Sequence, residues 1–132
     1  MLYHEIFNRN IRLETITWTI DIDSGVGLQT YKDIQLDTNY DTCLGVAVYA
    51  RSTSSTKDLL LGISHLGTDI HDLSPKANWI ANTAVRIEDH YKPLKFFPQN
   101  GKITLKADLL EDNSDAAHTL YFVFVLANTK QQ

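Results

Sequence analysis

The sequence predicts an all-β protein folded as a two-sheet antiparallel β-sandwich, and three observations carry that prediction. The first is the stretch from His118 to Asn128, which is apolar on both parities: Leu120, Phe122, Phe124 and Leu126 on one, Tyr121, Val123, Val125 and Ala127 on the other. A run of this length, rich in aromatic and β-branched residues, suits a central strand covered above and below. The second is that short apolar or alternating runs recur at spacings of roughly 10–15 residues with turn chemistry between them, the rhythm of a sandwich or barrel. The third is that no segment keeps a long helical period. About eight strands result. An eight-stranded single jelly roll fits them best, because there the last strand lies beside the first inside one sheet. An immunoglobulin-like sandwich is the nearest competitor, but its Cys…Trp…Cys pattern is missing.

Taken in order, residues 1–10 read as an N-terminal arm or short first element ending at Asn8-Arg9-Asn10, and residues 11–132 as one sandwich domain. Ile11 and Leu13 keep odd parity, whereas Ile16, Trp18, Ile20 and Ile22 keep even parity, so a β-bulge is expected near Glu14-Thr15. Turn residues follow at Asp23-Ser24-Gly25-Val26-Gly27. A second strand is expected from Leu28 to Leu36 with Ile34 and Leu36 inward. A third, apolar on both parities, runs from Cys43 to Ala50 and is expected to be central. Arg51 to Lys57 is polar and reads as an exposed tip, and Leu59 to Ser64 as the next strand. Residues 65–78, with Gly67, Asp69, Asp72 and Pro75, read as a long loop with one helical turn. A buried segment resumes at Asn78-Trp79-Ile80, and Ala84 to Glu88 alternates again. Asn100-Gly101, between Leu94-Lys95-Phe96-Phe97 and Lys102 to Ala107, carries the sequence signature of a β-hairpin. Glu111 to Asp115 is a charged loop before the final strand.

Bulk composition narrows the class. A chain of 132 residues, 43% apolar and 21% charged, is an ordinary globular domain. The net charge is −4 and the Lys and Arg residues are scattered singly, so no basic stripe is offered to nucleic acid. The single cysteine, Cys43, lies in an apolar run and reads as a small buried hydrophobe rather than a reactive thiol. Met1 to Phe7 has neither the basic start nor the apolar core of a signal peptide, so synthesis in a cytoplasm without signal-peptide secretion is expected. No apolar run reaches the length of a membrane span.

Candidate chemistry is sparse. His65, Asp69 and His71 form the densest set of metal-ligand types and would share parity on an extended segment; Gly67 and the missing alternation argue for a surface loop, and no metal or other cofactor is expected. Asp21 to Gly25 lacks the later ligands of a calcium loop, and Gly25-Val26-Gly27 lacks the context of a phosphate loop. No serine carries a nucleophile-elbow pattern. Trp18 shares the parity of Ile16 and Ile20 and reads as core. Tyr40 and Tyr91, in polar surroundings, are the candidates for contact with a partner or glycan.

The Thr-rich first strand (Ile16-Thr17-Trp18-Thr19-Ile20), the Ser/Thr loop at 52–56, the Asn-Gly pair and the apolar last strand together resemble the small single jelly-roll virion proteins of phages and viruses, of penton, decoration or spike-base type. The resemblance is one of pattern and spans residues 11–128. It implies a virion location, no catalysis, and self-association into a homo-oligomer, a trimer or pentamer, with contacts to other virion proteins. It brings no site residues at fixed positions. The apolar residues of the arm, Leu2, Tyr3, Ile6 and Phe7, need a covering surface and are the candidate interface. A carbohydrate- or receptor-binding sandwich is the alternative expectation, and a small enzyme or metal-binding jelly roll the third.

Overall fold

A computed structural model describes residues 11–21, 26–55, 57–80, 91–111 and 115–128. Strand patterning in it follows the period-two rule closely. From Ile103 to Leu109 the residues Ile103, Leu105, Ala107 and Leu109 are buried, while Thr104, Lys106 and Asp108 reach the opposite face. The described residues make eight strands: β1 (Ile11–Ile20), β2 (Gly27–Ile34), β3 (Thr42–Ala50), β4 (Leu59–His65), β5 (Thr68–Pro75), β6 (Lys92–Phe96), β7 (Ile103–Leu109) and β8 (His118–Ala127). They form two antiparallel sheets, β1-β8-β3-β6 and β2-β7-β4-β5. This is the expected two-sheet sandwich.

The pairing has a simple logic. β1 pairs with β8, β2 with β7, β3 with β6 and β4 with β5, as in one long antiparallel ribbon folded at the β4–β5 turn. The ribbon is then rolled so that β8 meets β3 and β7 meets β4. β8 therefore lies between the first strand and β3, and its apolar character on both parities is explained. Leu120, Phe122, Phe124 and Leu126 fill the space between the sheets, while Val123, Val125 and Ala127 are buried on the other face. Each large apolar side chain so buried contributes about 1.5–3 kcal/mol relative to exposure.

Several sequence expectations are corrected. No bulge interrupts β1, which pairs with β8 in unbroken register from Ile11↔Ala127 to Ile20↔His118. Ile11 and Leu13 simply sit on the outer face, beside Ala127 and Val125. Arg12 and Glu14 share parity with Trp18 but lie at the end of the strand, where both reach Asp37 instead of the core. The loop expected at 65–78 is the edge strand β5 followed by a 3-10 turn at Lys76–Asn78. Leu66 and Gly67 both take positive φ (53° and 79°) and close a tight β4–β5 hairpin.

Asn100-Gly101 is no hairpin. β6 and β7 belong to different sheets, and Pro98–Asn100 forms a 3-10 turn at the corner between them. In the expected tip Arg51, Ser52 and Thr53 are exposed, whereas the next two residues are not. Ser54 and Ser55 run beside the start of β8, where the Ser55 N–H donates to the Ala117 carbonyl and the Ser54 hydroxyl to that of Thr119. Ser55 is buried. The expected strand at Ala84 to Glu88 and the arm at 1–10 lie outside the described residues.

Candidate functional site

At the edge of the sandwich between β5 and β6, Trp79 packs into the core. After β5 ends at Pro75, the 3-10 turn brings the Trp79 N–H to the Lys76 carbonyl (2.9 Å) and drops the indole into the core, 3% exposed. His71 packs against it with ring centroids 4.3 Å apart, and the Lys92 ammonium lies 5.4 Å from the ring centroid. Cation–π contact of this kind favours keeping Lys92 over the ring. Ile80 then bridges in parallel to Val48 of β3, and β6 begins with Lys92 opposite Val46.

Between those two attachments lies a pocket of about 210 Å³. Ala47, Ile80 and Pro93 supply its apolar lining, and Asn78, Trp79, Tyr91 and Lys92 the rest. It is smaller than the roughly 300–1,000 Å³ of common ligand pockets, so it suits one small group rather than an extended substrate. Among the described residues Lys92 has no ion pair, and the buried Trp79 Nε1–H has no acceptor. Lys92 is the one cationic side chain among the described residues of this lining.

A second polar cluster occupies the end of the sandwich where β8 begins. The Ser55 hydroxyl donates to Asp115 Oδ1 (2.8 Å), and the Lys76 ammonium donates to the Ser55 carbonyl (3.2 Å). Burial lowers the Lys76 pKa, opposed by the carboxylates of Asp58 and Asp115. His118, fully buried on the inward parity of β8, has no partner at either ring nitrogen among the described residues. Its pKa is lowered first by burial and then by the charge of Lys76, with Asp115 opposing.

The residues singled out from sequence are dispersed. Tyr91 lines the pocket, its ring packed over Gly45. Tyr40 is half-buried in the β2–β3 loop and packs against the core, away from that pocket. His65, Asp69 and His71 do not converge: His65 turns inward onto Phe96 (5.1 Å) and His71 onto Trp79, while Asp69 pairs with Lys106 on the outer face. The Nδ1–H of His71 donates to the Asp72 carbonyl (2.7 Å). The β4–β5 register shifts twice, which cancels the shared parity that made these three look like a set. Among the described residues no three His, Cys, Asp or Glu side chains are placed to hold a metal. Leu2, Tyr3, Ile6 and Phe7 lie outside the described residues.

Cys43 is fully buried in β3, where loss of hydration pushes its thiol up to about 12, against a smaller lowering by the Gly45 carbonyl contact. The thiolate is not available at neutral pH. Sequence reasoning missed Lys92, Asn78 and Trp79 as pocket residues. Lys92 and Asn78 meet only because the ribbon rolls, and no local spacing announces that. No family model, curated protein or solved structure matches the chain.

Proposed function

We propose that this chain is a non-catalytic structural subunit of a virus or phage particle, acting through self-association and contacts with other virion proteins. The observation that carries the reading is the strand order, β1-β8-β3-β6 against β2-β7-β4-β5. We read this rolled ribbon as a single jelly roll, an architecture used by capsid and lectin domains. Fold alone does not choose between such hosts. One surface feature favours assembly. Leu13, Val26, Leu28 and Tyr31 are exposed on or beside β1 and β2, whose side chains Trp18 and Tyr31 meet 6.2 Å apart on one flank. The sealed thiol of Cys43 and the Ser55 hydroxyl, committed to Asp115, also suit a protein that makes contacts rather than bonds. Light scattering on a size-exclusion column tests the reading. A discrete multiple of the single-chain mass is expected, and a single-chain mass at every concentration would overturn self-association.

The pocket beside Trp79 favours a second reading, a carbohydrate- or receptor-binding sandwich. A glycan screen in which Lys92→Ala and Tyr91→Ala abolish the binding of one class of sugar would support it over the first.

A further inference from the structure

We infer that β1 is the self-association edge, pairing antiparallel with β1 of a second copy about a two-fold axis through Thr15, so that two β1-β8-β3-β6 sheets join into one. This rests on the self-association reading above and names its contact. The assembly unit is then a dimer rather than the trimer or pentamer that the resemblance implies.

Among the described residues four strands lie at sheet edges, and three of them are guarded against pairing. β6 is five residues long, contains Pro93 and carries Lys92 and Lys95. β5 shifts register twice against β4, carries Asp69 and Asp72, and ends at Pro75. β2 loses register between Tyr31 and Ile34, where Lys32 is followed by Asp33 at φ 61°. β1 has neither a proline nor a register shift. It runs ten residues beside β8 and contains no Gly. Its two charged side chains are already engaged, because Arg12 Nε pairs with Asp37 Oδ2 (3.4 Å) and the Asp37 N–H donates to Glu14 Oε1 (2.8 Å). What remains on its outer face is Ile11, Leu13, Thr15, Thr17 and Thr19, uncharged and mostly exposed.

Symmetry fixes the register. A two-fold axis perpendicular to the sheet sets residues of like parity opposite each other, and the contact is self-complementary. Centred on Thr15, Ile11 faces Thr19 of the second copy, Leu13 faces Thr17, and Thr15 faces itself. These are favourable β-sheet neighbours, and on the other face Arg12 comes opposite Trp18 and Glu14 opposite Ile16, so no like charges are opposed. Centring on Glu14 would set that carboxylate against its copy. Centring on Ile16 would set Ile11 opposite Asp21, beyond the end of β1. The Thr15 register alone uses Ile11 to Thr19 and nothing else.

Opposite charges at position 15 test this. Thr15 is exposed, so Thr15→Lys and Thr15→Glu are expected to keep the fold, checked by thermal unfolding. In sedimentation velocity each variant alone is expected to weaken association by about tenfold or more, because like charges then oppose directly across the axis. An equimolar mixture of the two is expected to recover the wild-type mass, and Thr15→Val to retain it. If both charged variants remain associated, or the mixture fails to recover, β1 pairing through Thr15 is wrong while self-association stands. If the wild type never associates, the self-association reading falls and takes this inference with it.

Discussion

A buried imidazole with nothing to bond is expensive, and His118 is such a group. Both its ring nitrogens are enclosed and unpartnered among the described residues, at the inner end of β8. Leaving a buried polar atom unsatisfied costs about 1–3 kcal/mol. The ring is held neutral by burial and by the nearby charge of Lys76, with Asp115 opposing, so its pKa in the fold lies below the ordinary value of 6.5. The unfolded chain takes up a proton as pH falls through that value while the folded chain resists. Stability is therefore present above about pH 6.5 and is lost as pH falls toward the lowered folded pKa. His118→Leu removes both penalties. Urea unfolding is expected to show it more stable than wild type by about 1–2 kcal/mol at pH 7. It should also lack the part of the wild-type loss between pH 7 and pH 5 that comes from charging this ring. A variant less stable than wild type at both pH values would mean that the imidazole has partners beyond those described.

At the scale of elements, the joint between β3 and β6 is the tightest point. A Cβ on Gly45 would collide with the Tyr91 ring and with the Lys92 carbonyl oxygen, next to the register shift between Cys43 and Gly45. Gly45→Ala is expected to lower stability by about 1–3 kcal/mol in urea unfolding. Adding Tyr91→Ala should recover only part of this, since the other obstacle is backbone. Full recovery would show that the close approach of β6 is not built in. Strands whose burial is one-sided or complete were legible in the sequence: β3, β4, β7 and β8 announce themselves by apolar parity. β5 did not, because an edge strand with one buried neighbour needs few apolar residues, and its turn at Leu66-Gly67 puts a leucine where turn chemistry predicts Asn or Asp. The Asn100-Gly101 signal misled for the opposite reason. Local turn preference was overruled by the need to cross between sheets.

For the whole molecule, the reading of His118 to Asn128 as a strand covered on both faces implied a central place, and β8 is central and buried on both faces. Its place beside the first strand was expected from a jelly-roll topology and not from burial, and β8 does pair with β1. The candidate site was not legible in this way. Trp79, Asn78 and Lys92 come together through the rolling of the ribbon, and the metal-like trio of His65, Asp69 and His71 is split across two faces by shifts in register. Surface function is likewise a property of the assembled sheet. Among the described residues three edges carry register shifts or prolines and β1 carries neither, a contrast that appears only once the strand order is known.

Amide hydrogen exchange along Ile11 to Thr19, measured at low and high protein concentration, tests the account most directly. Alternate residues of an edge strand point their N–H groups away from the neighbouring strand. If two copies join through β1, those alternate amides gain protection as concentration rises, while amides of β8 stay protected throughout. If they exchange rapidly at every concentration, even where the solution mass shows an oligomer, the open edge of β1 is not where this chain meets its copy.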